Sequence, residues 1–291
     1  MLAKFKDLLL DRIIKRLQDK GYFIAKPQFS NPIPDKRYLA SYDGYWKRDY
    51  PCYGLQFRDE QQLLLCDRLS IFALEIDELP TDVLDPQKNT SFLDMDLEFL
   101  YCMIRLLKPK KFIEIGAGWS SIIARHSIKR NEKEGHRCEH TIIEPYRSGY
   151  FTEYFKSADR YINKPIQEVP VTTFNCLSCD DILFIDTSHI AKYGSDVNYL
   201  YFYIVPNVAP GCYIHIHDIF IPNDYPKNWI FEYSMFFSEQ YLVTAFLMFN
   251  NTFQIELAAQ YLSQKYRERL NGLFPRFKPY FSPGSLWIKR K

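Results

Sequence analysis

Four short apolar runs constrain what this chain can fold into: KFIEIG (111–116), HTIIEP (140–145), DILFID (181–186) and CYIHIHD (212–218). Each has the length of one strand, and none shows the clean in–out alternation of a half-exposed sheet. Such runs are strands buried on both faces. Helical spacing separates them, in WSSIIARHSIKR, YFTEYFKSA and SDVNYLYFYIVPNV. A helix, MDLEFLYCMIRLL, follows Asp94 before the first run. SEQYLVTAFLMFN then reads as a helix, and FQIELAA and SLWIKR as closing strands. Strands alternating with helices imply an α/β fold, a parallel sheet covered on both faces.

In such sheets ligands collect at the carboxyl ends of the strands. Here those ends carry Glu114 with GAGWSS, Glu144, Asp186 with TSH, and His217 with Asp218. Gly116 and Gly118 allow a sharp turn into the next helix and a close approach to a ligand. A dinucleotide fingerprint would place a third glycine where Ser121 stands. Glu144 is placed to accept hydrogen bonds from ribose hydroxyls. Three of the six histidines lie between positions 189 and 217, at the ends of what read as adjacent strands. His215 shares a side with His217, one step deeper.

The E-x-G-x-G pattern at 114–118 resembles the S-adenosylmethionine site of class I methyltransferases. SFLDMDLEFLYCMIRLLKPKKFIEIGAGWSS, DILFIDTSHIAKYGSDVNYL and GCYIHIHDIFIPNDYPKNWI together resemble a bacterial class I methyltransferase family associated with glycan and cell-surface polysaccharide assembly. The resemblance runs from about Ser91 to the end. It implies a Rossmann-like sheet of seven mostly parallel strands with the last antiparallel; residues 1–90, outside the resemblance, read as a helical and Tyr- and Pro-rich extension that forms an acceptor-site wall or an oligomer contact. It also implies a cofactor site of Glu114, Gly116, Gly118, Trp119, Ser120, Glu144 and Gln167, with Gln167 toward the adenine.

Methyl transfer to an alcohol needs a base, a metal ion that acidifies the hydroxyl, or both. Asp186 and His189 in FIDTSH resemble the pair in metal-dependent macrolide sugar O-methyltransferases, where the aspartate binds magnesium and the histidine is the base. The remaining metal positions fall on His217 and Asp218. An imidazole there departs from magnesium's preference for oxygen and suits manganese or a transition metal instead. Two schemes stay open. In one, Asp186, His217 and Asp218 hold a divalent cation and His189 is the base. In the other there is no metal and His189 or His217 is the base. His215, Trp229, Tyr42, Tyr45 and Trp46 are read as acceptor contacts, since aromatic faces stack on sugar rings. The expected function is O-methylation of a sugar or glycosylated small molecule. The alternatives are a metal-dependent hydroxylase-like relative and a non-catalytic binding subunit.

Bulk properties set the remaining bounds. A net charge of +2 argues against a nucleic-acid surface. No apolar run is long enough to span a bilayer. Seven scattered cysteines fit a reducing cytoplasm; Cys176 and Cys179 have a metal-like spacing but no second pair to complete a site. The N-terminus reads as an amphipathic helix, with Leu2, Phe5, Leu9, Ile13 and Leu17 on one face. It could dock on the protein's own body, on a subunit partner in a homo-oligomer, or on a membrane surface.

Overall fold

The computed structural model describes all residues except 1, 23, 25–30, 47–48, 147–148, 150, 152–154 and 279–281. Seven strands form one sheet: β1 (Lys111–Ile115), β2 (Glu139–Ile143), β3 (Arg160–Ile162), β4 (Ile182–Ile185), β5 (Tyr213–Ile216), β6 (Phe253–Ala258) and β7 (Leu286–Arg290). Their order is β3-β2-β1-β4-β5-β7-β6. All pairs from β3 through β5 are parallel, and β7 runs antiparallel to both β5 and β6. This is the Rossmann-like order of mostly parallel strands, with the last strand antiparallel, that the sequence predicts. The chain order reverses direction between β1 and β4, so a crevice opens at their carboxyl ends.

Six helices precede or enter the sheet region: α1 (Leu2–Gln18), α2 (Lys36–Ser41), α3 (Asp59–Ser70), α4 (Thr81–Leu84), α5 (Asp94–Leu107) and α6 (Trp119–Lys133). Strand residues alternate between two cores. Phe112, Ile182, Phe184 and Trp287 pack with α5 and α6 residues such as Phe99, Met103 and Ile123. Ile113, Ile115, Leu183, Ile185 and Ile214 pack on the opposite face against Leu200, Ile204, Val243 and Leu247. Every strand from β1 to β5 except the edge strand β3 is therefore buried on both sides, which explains its largely apolar run.

The expected boundary at residue 90 is not a gap in packing. Leu65, Cys66 and Leu69 of α3, with Ile76 and Val83, belong to the same core as α5 and α6. The segment 196–207 is less regular than the expected single helix. One turn, Asp196–Tyr199, passes into a π-helical turn, Leu200–Ile204, and then a 3-10 turn, Val205–Asn207. Pro206 cannot supply the next backbone N–H, so the helix ends there. The helix expected over YFTEYFKSA lies partly outside the described residues. Among the described residues no helix is long and apolar enough to cross a membrane.

Candidate active site

A groove of about 630 Å³ lies across the carboxyl ends of β1, β2 and β4, a size typical of a small-molecule site. Gly116, Gly118, Trp119, Ser120, Glu144, Gln167 and Asp186 all line it. Glu114 does not. It is fully buried beneath the groove, where Ser120 donates to its Oε1 at 2.6 Å and His140 Nε2 lies 3.2 Å from its Oε2. Those two partners offset the cost of burying a carboxylate in a strand.

Gly116 is the hinge of the groove. Its backbone is left-handed (φ +81), and a Cβ there would lie 1.6 Å from the carbonyl oxygen of Asp186. The adjacent strand ends are tied by Asp186 N donating to Ile115 O at 2.9 Å. At Gly118 a Cβ would meet nothing within 4 Å, so α6 begins beside open space. Glu144 is turned toward this loop. Its Oε2 accepts from Ala117 N at 3.2 Å and its Oε1 from Tyr146 N at 2.6 Å. Burial pushes its carboxyl above the usual range. Gln167 crosses the far rim and donates to Gly194 O at 2.9 Å. Among the described residues the charged lining groups are Glu144, Asp186 and Asp196 against Lys192, and these carboxylates suit a cationic ligand.

Behind Asp186 sits a buried ion cluster. His189 Nε2 is 3.1 Å from Asp186 Oδ1 and 3.4 Å from Asp218 Oδ2, while its Nδ1 is 2.9 Å from Glu239 Oε2. His217 Nδ1 is 3.3 Å from Asp218 Oδ1 and 3.8 Å from Asp186 Oδ1; its Nε2 is 3.7 Å from Asp96 Oδ2. Burial alone would push both imidazoles down. The surrounding carboxylates win: Asp186 and Glu239 carry His189 well above its ordinary value, and Asp218, Asp186 and Asp96 carry His217 up to about 9. Burial likewise opposes ionisation of Asp186, but His217 and His189 hold it down at about 2. Burial pushes Asp218 up. His189 and Asp218 both have left-handed backbone, φ 57 each. Such conformations cost about 1–3 kcal/mol each and recur at functional sites.

Asp96 and Glu239 were not among the sequence candidates. Asp96, in the first turn of α5, accepts from the backbone N–H of Gly284 and Ser285 at 3.1 and 2.9 Å. Glu239, fully buried at the start of the helix Glu239–Leu247, accepts from Tyr201 Oη at 3.0 Å. Their backbones lie in helices, so nothing at a strand end signals them. A carboxylate in an otherwise apolar helical run is the clue each leaves.

Several expected roles do not form. His215 is fully buried, stacked on Phe184 at 4.2 Å and edge-on to Trp287 at 4.9 Å, with Nε2 3.0 Å from Ser285 Oγ. Burial holds it well below its ordinary pKa, so it is a neutral core support and no acceptor contact. Tyr42, Tyr45, Trp46 and Trp229 do not line the groove. The Tyr45 hydroxyl bonds Asp224, Trp46 donates to Leu39 O at 3.1 Å, and Trp229 packs among Phe220, Tyr225 and Phe237. Tyr42 is 41 % exposed and lies 6.1 Å from the Tyr45 ring. These rings chiefly cover one another, though Phe237 also touches the His189 ring at 4.8 Å. Nor does the metal set assemble. Among the described residues no group of three or more His, Cys, Asp or Glu side chains could hold a metal ion; Asp186, His217 and Asp218 pair as ions instead.

Comparison with known proteins agrees with the sheet. Residues 113–219, from β1 through β5, match the family model of a methyltransferase domain. An uncharacterized protein of Archaeoglobus fulgidus is 26 % identical over 188 residues, 61 % of this chain and 84 % of that protein. The plantazolicin methyltransferase BamL, solved with a triazolic desmethylPZN analog and SAH, aligns over 81 % of this chain and 99 % of its own, at 10 % identity and a TM-score of 0.42. Residues 113–219, which carry much of the groove, match a methyltransferase domain, and the enzyme class this match supports is that of S-adenosylmethionine-dependent methyltransferases.

Proposed function

We propose that the chain methylates a hydroxyl of a sugar or glycosylated acceptor, with Asp186 as the group that receives the hydroxyl proton. One observation carries this reading: Asp186 alone in the ion cluster lines the groove, 31 % exposed, and it is held ionised. His189 and His217 are kept protonated by the carboxylates around them. An imidazolium cannot take a proton, so the base role moves from the histidines to Asp186. The histidines hold that carboxylate in place and balance its charge.

The residues present fit S-adenosylmethionine. When bound, it supplies a methyl group on a sulfonium. Glu144 would take the ribose hydroxyls, Gln167 the adenine side, and Gly116, Gly118 and Trp119 the amino-acid side. The carboxylates of the groove suit the sulfonium charge. Asp186 orients the acceptor oxygen, and Ser188, Lys192 and Asp196 on the rim can read neighbouring hydroxyls. A place in surface-glycan assembly and a reducing, cytoplasmic setting complete the proposal, the latter supported by seven free thiols.

The metal-free form of the mechanism is tested by incubating the chain with labelled S-adenosylmethionine and a panel of polyhydroxylated acceptors, with and without a strong chelator. Label should move to a sugar hydroxyl at the same rate in both. A rate that collapses with chelator and returns with a divalent cation would restore the metal scheme.

A further inference from the structure

Among the described residues, none of those lining the groove belongs to α1. Between Leu10 and Gln18 no residue is fully buried; Leu10 is 48 % and Ile13 47 % exposed, while Ile14 and Leu17 are partly buried. Positions 10, 13, 14 and 17 have the i, i+3, i+4, i+7 spacing of one helix face. The described part of α1 therefore has an apolar stripe whose Leu10–Ile13 edge is open to solvent. A solitary helix of this length is marginal in water, so a stripe of this kind needs a surface to cover it.

The charge pattern identifies that surface. Residues 2–20 carry Lys4, Lys6, Arg12, Lys15, Arg16 and Lys20 against Asp7, Asp11 and Asp19. Arg12, Lys15 and Arg16 are exposed and interleave with the stripe. Pairing the stripe with that of a second copy would bring the same cations together along both flanks, where they repel. An anionic headgroup layer accepts the apolar stripe and the flanking cations at once.

We propose that α1 is a membrane-surface helix, lying in the interface of an anionic bilayer and tethering the enzyme there. This inference rests on α1 alone and stands whether or not the acceptor is a sugar.

The test is co-sedimentation of the full chain with phosphatidylcholine vesicles, with and without phosphatidylglycerol. Two double variants at exposed positions accompany it: Leu10→Glu with Ile13→Glu, and Lys15→Glu with Arg16→Glu. The wild-type chain should partition at least about tenfold more strongly onto the anionic vesicles, and high salt should weaken it. Each variant should lose about tenfold, with its thermal midpoint unchanged. Equal partitioning onto both vesicle types, or variants that bind like the wild type, would overturn the proposal. So would an oligomer, seen by light scattering, that Leu10→Glu with Ile13→Glu dissolves, because a second copy would then be the occupant.

Discussion

Replacing Asp186 with Asn should cut methyl transfer by about 10³-fold while leaving cofactor affinity within a few-fold. The substitution keeps the shape and an oxygen that can accept from His189 Nε2, now at 3.1 Å. It removes the negative charge that receives the acceptor proton. Because Asp186 projects into the groove, Asn fits its space, and Glu239, Asp218 and Asp96 remain as counter-ions for His189 and His217. The loss should therefore appear in kcat, with the KM for S-adenosylmethionine nearly constant, as expected for an interaction made in the transition state. His189→Ala differs in kind. It leaves the buried carboxylate of Glu239 without its partner, so much of its effect should be instability. A rate for Asp186→Asn within about tenfold of wild type would remove Asp186 from the chemistry.

Gly116→Ala should be the most damaging single methyl group in the chain. Its Cβ would sit 1.6 Å from the Asp186 carbonyl oxygen, and that oxygen belongs to a rigid strand end. No rotamer can relieve the overlap, because both partners are backbone or fixed to it. Relief requires β1 and β4 to part, which breaks the bond from Asp186 N to Ile115 O. The left-handed backbone adds its own cost for any residue with a Cβ. Together these should lower stability by about 3–5 kcal/mol, a large share of the roughly 5–15 kcal/mol that holds a domain together. The check is the denaturant midpoint of the variant against wild type. Gly118→Ala is the control, since its Cβ meets nothing within 4 Å; it should remain folded.

What the sequence disclosed follows from where each signal is encoded. Strands β1, β2, β4 and β5 and their polar ends are legible because burial on both faces leaves a run rich in Ile, Phe and Leu that stops abruptly at a polar residue or glycine. Gly116 is legible because only glycine tolerates that approach to the Asp186 carbonyl. The upward shift of His189 and His217 is only partly legible, since beside Asp186 and Asp218 it draws on Glu239 and Asp96. Asp96 lies on a helix far from either histidine in the chain, and Glu239 begins another. The aromatic residues mislead for a related reason. Composition cannot distinguish a ring that faces a ligand from one packed on another ring, and Trp229 and Trp46 are of the second kind. His215 follows the same rule: an ionisable group between isoleucines marks a site only if its neighbours leave it open. Here Phe184 and Trp287 close over it.

Calorimetric titration of the chain with S-adenosylmethionine addresses the central claim most directly. The groove should take one molecule per chain, with or without chelator. Glu144→Ala should weaken binding by about tenfold or more, through the loss of charge-assisted hydrogen bonds to the ribose. Absence of any binding heat at several temperatures, together with no transfer of label, would contradict the account.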